Sequence, residues 1–373
     1  MPFWTKTPLA IMVFSLGLLV LGPSRGVRAD WKQEWEKTVA AAEREGEVTL
    51  YGQARRGVAA AIQAFERSYP KIKLNFIGGS GSDLAKKIMA EKRAGKHLVD
   101  IAVGGGGTMV LVYYKAEILQ PVPSVLILPE VRDESKWWGK KHLYADPENR
   151  HVFMAQGDTG SGIGAINTNL VKAQELQSWW DLLGPRWKGK IVATDPKSAG
   201  NIGSWRFLYY DDDLGPKFIR RFLSEVGVVF AVDERQMMDW VAAGKYHIHV
   251  LAKVENTENA RKQGLPVMQV FSEKEADAIS TGSGHISLFK NAPHPNAAKV
   301  YINWFLSREG QMTWQKLTGR NSFRTDIPKD VLSFGEVQVP KEGRRYLLTS
   351  LPQYEDVKPL RKLVDEVLAA KSK

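Results

Sequence analysis

Between residues 47 and 103 short apolar runs alternate with amphipathic stretches, and this alternation restricts the fold more than any other feature. Residues 47–51, 72–77 and 99–103 read as strands. Residues 58–68 place Ile62 and Phe65 on one helical face, and residues 83–94 do the same with Leu84, Ile88 and Met89. Strands separated by helices in this order pair in parallel and carry helices on both faces of the sheet. The pattern predicts an α/β fold, preceded by a helix over residues 30–46 that buries Trp31, Trp35, Val39 and Ala42.

Each of these strands ends in a loop suited to close approach: Gly52-Gln53-Ala54-Arg55, Gly78-Gly79-Ser80-Gly81-Ser82 and Gly104-Gly105-Gly106-Gly107-Thr108. In an open α/β sheet the carboxyl ends of the strands form the ligand-facing edge. The candidate contacts there are the Gln53 amide, the Arg55 guanidinium, the Ser80 and Ser82 hydroxyls and the Gly105 backbone. Ser82-Asp83 is also placed to cap the following helix. A guanidinium in such a loop can grip a carboxylate, sulfonate or phosphate through two hydrogen bonds. A nucleotide site is excluded on detail. No G-x-x-x-x-G-K-[ST] occurs, and the glycines of residues 78–81 lack dinucleotide-binding spacing.

A second α/β unit follows. Residues 191–193 and 247–251 read as strands, and residues 217–226 and 235–243 as helices. The loop Ser198-Ala199-Gly200-Asn201 precedes a helix reaching Tyr210, so its N–H groups are placed to bind an anion. Residues 279–289 read as a strand returning across the molecule, before a helix over residues 293–306. A unit entered once and left once implies two crossovers and a hinge. We expect one lobe over residues 30–167 plus 279–330 and a second over 168–278, with the C-terminal helices of residues 340–373 packed on it. His247, His249 and the Asp211-Asp212-Asp213 run read as packing and turn residues, and no metal site is expected.

Residues 1–29 read as a secretory signal peptide: Lys6 begins it, residues 8–22 are uncharged and largely apolar, and Val27-Arg28-Ala29 offers small residues to a signal peptidase. The expected location is the periplasm. That segment holds three basic residues and no acid, so the remainder carries 49 of the 52 basic groups against 41 acidic ones. The basic groups are scattered rather than gathered into a stripe, which argues against nucleic acid and for a general attraction of small anions. Cysteine is absent, which removes disulfides, thiol nucleophiles and thiolate metal sites.

Several stretches together resemble the extracellular solute-binding proteins of ABC importers, family 1, the ferric-binding-like branch of type II periplasmic binding proteins. They include Phe65-Glu66-Arg67-Ser68-Tyr69-Pro70-Lys71-Ile72, Asn167-Thr168-Asn169-Leu170, Trp187-Lys188-Gly189-Lys190-Ile191 with Asp195-Pro196, and Pro293-His294-Pro295-Asn296-Ala297-Ala298 with Asn303-Trp304-Phe305-Leu306-Ser307. The resemblance implies a two-lobed type II fold, two α/β domains joined by crossover strands. It further implies one ligand caught between them, a monomer without cofactor or catalysis, and delivery to an inner-membrane ABC permease. It also places Arg324 in a ligand-proximal loop. Ferric-binding members hold their metal through a His after the first strand, a Glu after the third and a Tyr pair in the second lobe. The matching places here are Ala54 or Arg55, residues 104–107, and residues 251–255 without a Tyr. Ferric iron requires anionic oxygens, so the expected ligand is a small anion. An iron(III) or iron-chelate carrier is the alternative within the family, and a sensor for a receptor kinase is a further role. A secreted hydrolase is the alternative outside it, although neither G-x-S-x-G nor H-E-x-x-H occurs.

Overall fold

The computed structural model describes residues 26–54, 57–198 and 202–371, with side chains from Asp30 onward. Most of the expected leader, residues 1–25, lies outside the described residues. The first helix runs Gly26–Glu45 and packs on the long helix Pro295–Leu306.

The first sheet contains β1 (Glu47–Gln53), β2 (Lys73–Gly79), β3 (Ile101–Gly104), β4 (Leu119–Gln120) and β5 (Phe153–Met154). The chain then crosses through β6 (Asp158–Thr159) into the second sheet, made of β7 (Gly164–Asn167), β8 (Ile191–Thr194), β9 (Val229–Ala231), β10 (Ile248–Val250) and β11 (Val267–Val270). It returns through β12 (Asp277–Ser280) to β13 (His285–Phe289), and β14 (Tyr346–Leu348) follows near the C-terminus. The first sheet has the order β2-β1-β3-β13-β4, with β5 also on β13. The second has the order β11-β7-β10-β8-β9, and β14-β12-β6 form a third small sheet. β1, β2 and β3 run parallel, with Glu47 opposite Lys73 and Gln53 opposite Gly79.

Apolar patterning dictates each lobe's core. In the first lobe the near-continuous apolar strands are covered by Phe65, Tyr301, Trp304 and Phe305 on one side and by Met109, Val110 and Tyr113 among the remaining cluster. Asp100, fully buried, ties the base of this sheet together: it accepts the N–H groups of Thr49 and His294, each at 2.7 Å, and meets the His294 imidazole at 2.9 Å. The second lobe buries Trp179, Trp205, Phe218 and Phe222 against one face of its sheet, while Met237, Met238 and Val241 cover the other. Leu360, Leu363, Val364 and Val367 of the C-terminal helix Lys358–Lys371 complete the first of these clusters.

Four features depart from the sequence reading. β7 sits in the second sheet, so the crossing lies at residues 158–160 and not after Asn167. Residues 279–289 form two strands, β12 and β13, broken at Gly282, whose φ of +53° suits glycine. Residues 346–348 are a strand, not helix, and add a third member to the crossover sheet by pairing parallel to β12. The helix Gly81–Arg93 is capped by Ser80, whose Oγ accepts from the Asp83 N–H at 3.2 Å, and not by Ser82.

The small sheet joins the two lobes. Its strands are only two to four residues long, and Gly160 permits them to close up, because a Cβ there would meet the Ala278 side chain at 2.8 Å. Asp277, buried in β12, pairs with Arg344 at 2.7 Å. Burial pushes its carboxyl up to about 6; Arg344 opposes the rise and Glu273 and Asp211 add to it. The folded carboxyl therefore holds its proton more tightly than the unfolded one. The stability this contributes is full below the ordinary carboxylate range and is lost as pH rises through about 6. Comparing urea unfolding of the wild type and Asp277→Asn at pH 4 and pH 7 should show about 2–3 kcal/mol of extra pH-dependent loss in the wild type. Parallel pH profiles would show that Asp277 titrates normally.

Candidate functional site

The two sheets face each other across a cleft of about 610 Å³, the volume of an ordinary small-molecule site. Its floor is the small crossover sheet: Asp158, Thr159, Gly160, Ala278 and Ser280 all line it. The first lobe contributes Gln156, Gly282, Ser283, Trp314, Thr318 and Arg320. The second contributes Ser161, Gly203, Ser204, Arg206, Phe207, Leu251, Lys253 and Glu255. Gln338 and Thr349 come from the C-terminal segment. Hydroxyls and amides dominate, with Trp314 and Phe207 as aromatic walls. Trp314 is held by its indole N–H, which donates to Gln156 Oε1 at 2.6 Å.

Three cations reach this space, each beside a carboxylate of the same chain. Arg320 Nε lies 2.7 Å from Asp158 Oδ2. The other Asp158 oxygen accepts the Asn321 N–H and the Gln338 side-chain amide, both at 2.9 Å. Burial pushes the Asp158 carboxyl above its ordinary value, and Arg320 and these N–H groups pull it back. Arg206, on the helix Ile202–Tyr210, pairs with Glu355 at 3.0 Å, while its Nε is buried with no hydrogen-bond partner among the described residues. Lys253 pairs with Glu234 at 2.6 Å. Among the described residues no group of three or more His, Cys, Asp or Glu side chains is arranged to hold a metal ion.

Only some of the sequence-predicted residues meet at the cleft. Gln53, Gly105 and the cleft residues Gly282 and Ser283 come together. Gln53 Oε1 accepts the Ser283 hydroxyl, and a Cβ on Gly105 would lie 3.5 Å from Gln53 Nε2 and 3.9 Å from the Gly282 carbonyl. Gln53 thus reaches the cleft through Ser283. Ser80 and Ser82 stand exposed at the same sheet edge but outside the cleft lining, and the Ser80 hydroxyl is engaged with Asp83 at 2.6 Å and Ser82 at 3.0 Å. Ser198 lies ahead of the helix Ile202–Tyr210, whose first turn lines the cleft through Gly203 and Ser204, and its carbonyl accepts the Ile202 N–H at 3.2 Å. Arg55, Ala199 and Gly200 lie outside the described residues.

Arg324 departs from its expected place. It is 1% exposed and lines no part of the cleft. Asp326 grips it through two bonds at 2.8 and 2.9 Å, Glu130 lies 3.0 Å away, and the Leu306 carbonyl accepts a further N–H at 3.0 Å. Such a saturated guanidinium is a structural brace. The cleft cations Arg206, Lys253 and Arg320 were missed because they lie on helices and loops remote in sequence from the glycine turns. Two signals did mark the floor, the Gly-Ser-Thr runs Asp158-Thr159-Gly160-Ser161-Gly162 and Ser280-Thr281-Gly282-Ser283-Gly284.

Comparison with known proteins follows this geometry. The sequence model described as "Bacterial extracellular solute-binding protein" matches residues 51–312, well over half of the chain. An uncharacterized protein of Haemophilus influenzae is 25% identical over 270 residues, covering 68% of this chain and 71% of that one. Trichodesmium IdiA (FutA), solved in complex with iron and citrate, superposes with a TM-score of 0.62 at 20% identity, covering 86% of this chain and 99% of that one. The ferric binding protein from Campylobacter jejuni gives a TM-score of 0.57 at 18% identity, with 86% and 99% coverage. At these identities the likeness to the solved structures concerns the fold.

The Arg320–Asp158 pair carries its own test. Arg320→Leu leaves a nearly sealed carboxylate unpaired and should cost about 3 kcal/mol in urea unfolding. Adding Asp158→Asn should return most of that loss. A cost below about 0.5 kcal/mol for Arg320→Leu alone would mean that Asp158 does not depend on it.

Proposed function

This chain belongs to the bacterial extracellular solute-binding protein family, and from that premise we propose that it is the periplasmic binding component of an ABC importer specific for a small anionic solute. The solute enters the cleft, the lobes close about the three-stranded hinge, and the closed form delivers its cargo to a permease in the inner membrane. Capture leaves the solute chemically unchanged and requires no cofactor.

One observation carries the choice of an anion: cations approach the cleft from both lobes, Arg320 from the first and Arg206 and Lys253 from the second. An anion placed among them would bridge the lobes and favour closure. The buried, unpartnered Nε of Arg206 supports the same reading, because a donor left without a partner costs free energy until one arrives. Gly203 and Ser204, exposed in the first turn of the helix Ile202–Tyr210, line the cleft near the positive end of its dipole. The hydroxyls of Thr159, Ser161, Ser280 and Thr349 suit a polar, oxygen-rich body rather than an apolar one.

A second reading is an anionic iron chelate. It rests on the Trichodesmium protein, which holds iron together with citrate. A chelate brings its own oxygen ligands, so it fits a cleft whose described residues supply no metal-binding cluster.

Calorimetry with phosphate, citrate, ferric citrate, sugar phosphates, neutral sugars and polyamines tests both readings. At least one anion should bind with micromolar or tighter affinity, and Arg206→Gln and Arg320→Gln should each weaken it at least about tenfold. Selective binding of ferric citrate over citrate would favour the second reading. Binding of polyamines or of uncoordinated ferric ion alone would overturn both.

A further inference from the structure

The C-terminal segment ends its course along the hinge at the mouth of the cleft, and there it presents a carboxylate to a ligand-facing cation. β14 pairs with β12, Thr349 lines the cleft and donates to the Ile279 carbonyl at 3.1 Å, and the chain then turns toward the helix Ile202–Tyr210. It is fastened to that helix twice. The Tyr210 hydroxyl donates to the Asp356 carbonyl at 2.6 Å, and the Tyr210 and Tyr354 rings lie 5.5 Å apart. Between these anchors sits Glu355. Its Oε2 accepts from Arg206 Nη1 at 3.0 Å, and its Oε1 faces Gly107 of the opposite lobe, where a Cβ would lie only 3.8 Å away.

We propose that Glu355 is an internal competitor for the solute: it occupies Arg206 in the empty cleft, and an anionic ligand must displace it to bind. This inference rests on the anion reading of the cleft and adds a specificity-determining residue to it. Three features single out this pair. Arg206 is largely buried, with 18% of its side chain exposed, so it cannot exchange its partner for bulk water without moving. Among the described residues its Nε has no hydrogen-bond partner although Glu355 holds Nη1, so one edge of the guanidinium is not satisfied. A ligand with three or more oxygens, such as a phosphate or a polycarboxylate, can grip the Nε/Nη2 edge with two of them and take the place of Glu355 at Nη1 with another. Glu355 itself is 30% exposed and lies on an irregular segment, so it can swing aside.

A competitor of single negative charge raises the threshold for binding. Chloride or a simple monocarboxylate gains little by replacing a carboxylate that is already in place. A phosphate ester or a polycarboxylate brings more charge and a second oxygen, so it gains more from the exchange. Glu355 therefore selects for dense negative charge at the expense of absolute affinity.

The test is calorimetric titration of the wild type, Glu355→Gln and Arg206→Gln with inorganic phosphate, citrate, glucose 6-phosphate and acetate, with melting curves to confirm folding. Glu355→Gln should bind the preferred anion about tenfold more tightly than the wild type and should narrow its preference over acetate. Arg206→Gln should bind it at least tenfold more weakly. A merely structural role for Glu355 predicts the opposite sign, because loosening the segment weakens binding. Unchanged or weaker binding by Glu355→Gln, beside the expected loss in Arg206→Gln, would overturn this inference and leave the anion reading intact. If no anion binds to any of the three proteins, the anion reading falls and the inference falls with it.

Discussion

Two apolar cores are joined by a ladder of main-chain hydrogen bonds among three short strands, and the working geometry depends on that ladder. β6, β12 and β14 pair Ile279 with both Thr159 and Leu348, so one residue of the returning strand anchors the other two crossings. So short a sheet resists sliding, because its register is set residue by residue, yet it offers little resistance to bending about its own line. Each lobe on either side has a sheet covered by helices and large aromatic clusters. A closure of the lobes would therefore bend the chain where the cores thin out. Because Asp158, Thr159 and Ser280 belong both to the small sheet and to the cleft lining, a guest in the cleft would touch those strands directly.

Electrostatics completes this picture. Three cations facing one another across an empty cleft would repel and would pay for desolvation without return. The chain answers by giving each its own carboxylate: Asp158 for Arg320, Glu355 for Arg206 and Glu234 for Lys253. These pairs differ in depth. Asp158 is sealed and held by two further N–H donors, so its partnership belongs to the fold. Glu234 and Glu355 retain contact with water, and their cations can be shared with a ligand at smaller cost. Arg324 shows the contrasting case, a guanidinium so fully bonded that nothing is left to offer a solute.

Much of the architecture was legible because local pattern and global fold agree. Strands of consecutive buried residues such as Ile101–Gly104 and helices with one apolar face announce a parallel sheet whatever their surroundings. The errors cluster at the crossovers. Asn167 resembled a lobe boundary because a polar Asn-Thr-Asn run follows β7, yet that run is a turn at the outer end of a strand inside the second lobe. Residues 279–289 looked like one strand because the break is made by backbone conformation at Gly282, which an apolar pattern hardly registers. The site was legible only in part. Gln53 and Gly105 were visible as strand-end residues, whereas Arg206 and Arg320 became cleft residues only once two lobes had folded and met. Surface arginines are common, and nothing in their local sequence separates a ligand-facing one from a brace such as Arg324.

If the lobes close on an anion, the distance between them must shorten when it binds. The natural chain has no cysteine, so Lys86→Cys in the first lobe and Arg235→Cys in the second provide unique sites for spin labels. Pulsed electron-electron double resonance on the doubly labelled protein should give a broad interlobe distribution in buffer. Saturating citrate, or the sugar phosphate that binds most tightly, should draw it to a shorter and narrower one. Distributions that coincide with and without every anion, while a cation or neutral sugar shortens them, would contradict the account.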